Sequence, residues 1–103
     1  MNRILVIITT EPQFDIAEKI SNLLLIKRIA ACISLKEITS IYHWDGKVET
    51  NKEIEITIKS TPEKRQILTE VLKSELSYDL PQIIFNEFDS DLSYFNWIKE
   101  MVI

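Results

Sequence analysis

The chain switches between stretches whose apolar residues recur at every second position and stretches where they recur every third or fourth. That switching lays out its elements. Arg3 to Thr9 is apolar or β-branched on both alternation faces, the mark of a strand covered on two sides. Thr10-Glu11-Pro12 follows: proline suits the first helical position, and Thr10 or Glu11 can accept from the free amides there. From Phe14 through Ala17, Ile20 and Leu24 the apolar residues keep helical spacing. This helix is expected to end near Lys27-Arg28, cations suited to a helix C-terminus.

Ala31 to Trp44 and Lys47 to Ser60 flank Asp45-Gly46, a pair that fits a two-residue type I′ turn because both positions need positive φ. The turn sets a register in which partner numbers sum to 91. Ile33 then faces Ile58 and Leu35 faces Ile56, with Ile54 on the same side, while Lys36 meets Glu55, Ser34 meets Thr57 and Cys32 meets Lys59 on the other. Glu37 opposite Ile54 and Ile38 opposite Glu53 break the pattern, a place where a bulge would fit.

Thr61-Pro62 repeats the cap-then-proline device, with Ser60 and Glu63 at capping-box spacing. Ile67, Leu68, Val71 and Leu72 form the apolar stripe of the second helix, Glu75 to Pro81 reads as a loop and Gln82 to Phe88 as a strand. Asp89 or Ser90 is then expected to cap a last helix whose Tyr94, Trp97 and Met101 share a face. The order βαββαβα over a single domain, residues 1–103, is that of an α+β, ferredoxin-like split β-α-β sandwich with a long central hairpin, its helices on one sheet face. The first strand is central in that fold, so its second apolar face needs a cover.

Strand length points the same way. Fourteen residues span roughly 46 Å, whereas a spherical domain of this size is only about 34 Å across. The hairpin should therefore bend or protrude, exposing Ile41, Tyr42 and Trp44 unless a neighbour buries them. A homo-oligomer built through the sheet and hairpin is expected, with those three residues at its interface.

Composition narrows the function classes. Of the 103 residues 46% are hydrophobic, with one Gly and three Pro, which excludes a disordered tail or linker. One Cys cannot form an internal disulfide, so a reducing compartment, the cytoplasm, is the expectation. A net charge of -4 argues against phosphate-backbone binding, so nucleic acid is not an expected partner. Neither is a membrane: Ile4 to Ile8 is shorter than a signal-peptide core, no run approaches the ~20 residues of a spanning helix, and Lys27-Arg28 spoil the lipoprotein-like Ile29-Ala30-Ala31-Cys32.

Several short stretches stand together in a telling order: Thr9-Thr10-Glu11-Pro12, Lys27-Arg28-Ile29-Ala30-Ala31-Cys32, Ser40 to Glu49 (SIYHWDGKVE), Ile58-Lys59-Ser60-Thr61, Tyr78-Asp79-Leu80-Pro81 and Tyr94 to Ile98 (YFNWI). In content and spacing they resemble the CutA family of divalent-cation tolerance proteins over nearly the whole chain. The resemblance implies a ferredoxin-like subunit in a homotrimer, related in architecture to the PII signalling proteins, cytoplasmic in bacteria and linked to tolerance of copper and other divalent metals. It implies no enzymatic reaction. The departures bear on function. The positions proposed to bind copper in relatives, a Cys ending the first strand and a His-His pair before the loop tyrosine, read Thr9, Glu75 and Leu76 here. That donor set suits neither Cu(I) nor Cu(II).

The remaining metal candidates are Cys32 and His43. Cys32 is a small strand residue, or a ligand shared about a threefold axis, with Lys59 opposite favouring thiolate. His43 beside Asp45 is an exposed turn histidine or a weak surface ligand. Cofactors are thus none, or copper or another divalent metal. In the family a Lys at 59 and a Tyr at 78 line a cleft between subunits; with Glu53 they form a set that could hold a small anion, the alternative to a metal-linked role, or simply a solvated sheet face. The tight Asp45-Gly46 turn replaces the long loop with which PII proteins bind nucleotide, so nucleotide binding does not carry over. No nucleophile-base triad or phosphate-cradling glycine loop appears, and the chain is expected not to be an enzyme.

Overall fold

A computed structural model describes residues 2–103. Its elements run β1 (Arg3–Glu11), α1 (Phe14–Ile26), β2 (Cys32–Trp44), β3 (Lys47–Ser60), a 3-10 turn over Pro62–Lys64, α2 (Arg65–Glu75), β4 (Ile83–Asp89) and α3 (Leu92–Met101). The four strands form one antiparallel sheet in the order β2-β3-β1-β4, the ferredoxin-like arrangement expected.

The hairpin register runs unbroken from Cys32 opposite Lys59 to Trp44 opposite Lys47, every pair summing to 91. No bulge interrupts it at Glu37–Ile54 or Ile38–Glu53. There is a physical reason. β1 ends opposite Ile54, so beyond that point the hairpin is two-stranded, and on the outer strand Glu37 stays exposed beside the buried Ile54. Asp45 (φ 51°) and Gly46 (φ 73°) take the two left-handed positions of the turn. The molecule is 45 Å long but only 24 and 22 Å in its other dimensions, so the hairpin protrudes as strand length requires.

α1 and α2 cover one sheet face. Leu5 and Ile7 of β1 and Ile54, Ile56 and Ile58 of β3 are buried there against Ala17, Ile20, Leu24, Leu68 and Leu72. Phe14 and Ile67, placed in the helical stripes by spacing, are instead about half exposed, because the inward arcs of α1 and α2 are narrower than the apolar pattern. On the opposite face α3 covers part of what β1 leaves open: Ile4 and Ile98 are buried, while Val6 and Ile8 are only half-buried. The helices therefore lie on both faces, not one. Among the described residues no helix is long and apolar enough to cross a membrane.

The helix ends differ in detail from expectation. Pro12 precedes α1 rather than opening it, and Gln13 at the N-cap donates its amide to the Glu11 carboxylate at 3.0 Å. Ser60 forms no capping box: its hydroxyl, fully buried, donates to the Ile29 carbonyl at 2.6 Å. Asp91, not Asp89 or Ser90, caps α3, accepting from the Tyr94 amide at 3.0 Å. After α1 the chain takes a Schellman turn, with Ile29 N–H on the Leu24 carbonyl (3.2 Å) and Arg28 left-handed at φ 56°.

Arg28 is an unusual residue for that conformation, and its side chain supplies the reason. Its guanidinium donates to the carbonyls of Glu100 (2.8 Å) and Met101 (3.0 Å), while its own carbonyl accepts from Ile103 N–H at 3.0 Å. These bonds clasp the end of α3 to the end of α1. Arg28→Ala and Arg28→Gly both remove the two guanidinium bonds, but only alanine keeps the left-handed penalty, so the alanine variant should be less stable than the glycine variant by about 1 kcal/mol. Denaturant unfolding of the two measures the difference; equal midpoints would mean that the turn relaxes out of the left-handed region.

Candidate functional site

Where the hairpin leaves the sheet, three chain segments converge. β1 ends at Glu11, paired with Ile54. The next residue of β3, Glu53, sits just past that end on the face not covered by α1 and α2. The loop from α2 to β4 passes over the same end and presents Tyr78.

Glu11 holds this junction together. It is fully buried, and its carboxylate accepts from three donors: Gln13 N–H (3.0 Å), Ser77 N–H (2.9 Å) and the Ser77 hydroxyl (2.9 Å). Three hydrogen bonds offset the cost of taking a carboxylate out of water. The same bonds pin the start of α1 and the first residue of the loop to one point. The Thr9 hydroxyl fixes the loop's other end by donating to the Gln82 carbonyl.

So fixed, the loop puts the Tyr78 hydroxyl on Glu53 Oε1 at 2.5 Å. Glu53 is itself buried, at 7% exposure. Burial holds the Tyr78 hydroxyl well above its ordinary titration range, helped by the bond to Glu53 and by the nearby charges of Glu53 and Glu11. Tyr78 is therefore a neutral donor at any physiological pH, not a base. Around the pair is a cavity of about 680 Å³ lined also by Thr10, Ser40, Tyr42, Trp44, Leu80 and Gln82.

The structure thus brings together Glu53 and Tyr78 of the expected cleft and sets them beside the interface candidates Ile41, Tyr42 and Trp44. Within one subunit Lys59 lies apart from them. That residue lies six positions along β3, about 20 Å away on an extended strand, with its ammonium 5.8 Å from the centre of the Tyr94 ring. Tyr94 in turn stacks on Trp97, centroids 5.7 Å apart, an aromatic pair separate from Tyr42, Trp44 and Tyr78 at the cavity.

The metal candidates are likewise apart. Cys32 is half-buried at the start of β2 and His43 is exposed near its end, eleven residues or roughly 36 Å along the strand. At the three positions where the resemblance implies copper ligands, Thr9 is buried with its hydroxyl engaged, Leu76 is buried in the core and Glu75 is exposed. Among the described residues no group of three or more His, Cys, Asp or Glu side chains is placed to hold a metal ion. The expectation missed Glu11's bond to Ser77, Asp79 and Leu80. Sixty-six residues separate Glu11 from Ser77, and no local pattern signals such a contact.

Residues 5–101 match the family described as CutA1 divalent ion tolerance protein. The chain is 34% identical over 97 residues to the divalent-cation tolerance protein CutA of Pyrococcus horikoshii, covering 93% of this chain and 95% of that one. It is equally 34% identical over 96 residues to the CutA of Pectobacterium atrosepticum, covering 91% and 87%. Its fold superposes on the crystal structure of CutA1 from Pyrococcus horikoshii with a TM-score of 0.93 at 33% identity, over 96% of this chain and 98% of the other. A periplasmic divalent cation tolerance protein CutA from Archaeoglobus fulgidus gives 0.93 at 32% identity, over 97% and 99%.

The Glu53–Tyr78 bond makes a measurable demand. Tyr78→Phe leaves a buried carboxylate oxygen without its donor and should cost about 1–3 kcal/mol near neutral pH. Because the folded state holds the Tyr78 proton more tightly than the unfolded chain, that stabilisation is complete below about pH 10, the ordinary tyrosine value, and is lost as the pH rises above it. Wild-type and variant unfolding free energies, measured across that range, should converge; a constant gap would show that the hydroxyl does not titrate as placed.

Proposed function

Because the chain belongs to the CutA1 divalent ion tolerance family, we propose that it serves in tolerance of divalent metal ions as a non-enzymatic homotrimer that holds no copper centre within one subunit. The near-complete family match carries the metal-tolerance reading. Against copper ligation within one subunit stand the engaged hydroxyl of Thr9, the core position of Leu76 and the distance between Cys32 and His43. The role in metal response is then indirect, by signalling, rather than storage or catalysis at a resident ion.

Self-assembly is supported by where apolar surface remains exposed. Ile41 (69%), Trp44 (54%) and Val48 (65%) lie on the two-stranded part of the hairpin, and Ile84 (53%) and Phe88 (52%) lie on the sheet face that α1 and α2 leave open. Clusters of this kind, next to unpaired strand edges, favour association. The PII-like alternative, a small anion held between subunits, draws support from Lys59, which has no carboxylate partner among the described residues. The cytoplasmic placement suggested by the single thiol belongs to the same proposal, beside an Archaeoglobus relative described as periplasmic.

Light scattering on the purified protein should give the mass of three copies; a monomer at micromolar concentration would remove the assembly. A strain deleted for this chain should grow less well under excess copper, zinc, nickel or cobalt, and re-expression should restore growth. Cys32→Ser and His43→Ala should restore it as fully as the wild type. Failure of either variant, with normal protein levels, would return the role to direct ligation.

A further inference from the structure

We infer that a second cavity, at the end of the subunit away from the hairpin, binds a small organic anion, an acidic head group carried on an apolar body. This goes beyond the family reading and does not rest on it. None of the residues lining this cavity belongs to the hairpin or to β4, the surfaces assigned to self-assembly.

Three segments build it. β3 ends at Ser60 and runs into Thr61 and the 3-10 turn, β1 begins at Arg3, and the last turn of α3 with Val102 and Ile103 closes the third side. The space between them is about 500 Å³, within the range of small-molecule pockets. The α3 side is anchored. The Arg28 guanidinium donates to the Glu100 and Met101 carbonyls, and the Arg28 carbonyl accepts from Ile103 N–H, so the residues after α3 are fixed where they wall the cavity. Arg28 keeps a left-handed backbone to do this, a strained state that persists only where the surroundings hold it.

Charge selects the ligand class. The charged side chains lining the cavity are Arg3, Lys64 and Lys99 against one carboxylate, Glu63. Arg3 is already engaged by Glu87 (3.3 Å) and Asp89 (3.7 Å). Lys64 and Lys99 have no carboxylate partner among the described residues, in a chain with 16 acidic residues against 12 basic ones. The Lys99 ammonium lies 5.3 Å from the centre of the Phe95 ring, which sets its charge at the cavity wall. A cation entering here would meet two unneutralised ammonium groups of its own sign; an anion is attracted by both.

The rest of the lining calls for an apolar body. Pro62, Phe95 and Val102 are half-buried and Ile103 is 74% exposed. A bare inorganic anion would leave these side chains facing water, whereas a hydrocarbon or aromatic body covers them. Lysine ammonium groups act as point charges and suit a carboxylate or a phosphate alike. The feature the cavity selects is therefore the joining of an anionic head to an apolar body.

The test uses the full-length protein in its native assembly and titration calorimetry with two probes of equal shape, 4-phenylbutyrate and its uncharged amide, 4-phenylbutanamide. The carboxylate should bind saturably, and the amide at least about tenfold more weakly. Phenyl phosphate should displace the carboxylate and inorganic phosphate at equal concentration should not; the tighter of the two aryl probes identifies the preferred head group. Lys64→Gln combined with Lys99→Gln should reduce carboxylate binding to the level of the amide, with circular dichroism and oligomeric mass unchanged. Lys73→Gln, at an exposed lysine of α2 outside the cavity, should bind as the wild type does. Arg28→Gly should weaken both probes by the same factor, because it loosens the wall and leaves the charges in place. Equal binding of the two probes, no saturation, displacement by inorganic phosphate, or an equal loss in Lys73→Gln would each overturn the proposal. So would a change of oligomeric mass in the double lysine variant, since the two ammonium groups would then serve contacts between copies.

Discussion

β1 is apolar on both faces, and the rest of the subunit is arranged around that constraint. Leu5 and Ile7 call for cover on one side, which α1 and α2 provide. Ile4, Val6 and Ile8 call for it on the other, where α3 protects Ile4 and leaves the rest half-buried. A central strand with two dry faces cannot be satisfied by a two-layer sandwich alone. The Arg28 clasp follows from the same demand, since it spends a left-handed arginine to hold α3 where the second face needs it.

The end of β1 organises the candidate site in turn. Glu11 closes the strand with a buried carboxylate whose three donors come from α1 and from the loop after α2. Fixing Ser77 fixes Tyr78, and Tyr78 then reaches a second buried carboxylate, Glu53. Two acidic side chains, neither paired with a cation among the described residues, thus define the floor and the frame of one cavity. Each is tolerated because hydrogen bonds stand in for water.

The family relationship and the local chemistry address different questions. Similarity over nearly the full length establishes the fold and the class of role. The side chains at Thr9, Glu75 and Leu76 say which part of the family's proposed chemistry this chain does not carry in one subunit, because a hydroxyl already bonded to Gln82 and a leucine in the core cannot ligate copper. Fold similarity transmits architecture readily, and sites only residue by residue.

The sequence by itself determined the element order, the Asp45-Gly46 turn, the hairpin register apart from the bulge it allowed at Glu37 and Ile38, and the protrusion of the hairpin, because each depends on short-range rules: pleat alternation, positive φ at adjacent residues, and rise per residue. It also grouped Tyr78 with Lys59 and Glu53, the first two through the family resemblance and Glu53 from its place on the same strand, but the Tyr78–Glu53 bond itself came from the structure. What only the tertiary structure decided were contacts between distant segments. Ser60 could cap a helix locally but finds the Ile29 carbonyl, Lys59 finds the Tyr94 ring of α3, and α3 crosses to the second face. Hydrogen-bond partners and cavity walls are set by which surfaces pack together, and side-chain type alone does not encode that. The apolar face of β1 was therefore legible from alternation, while what covers it was not.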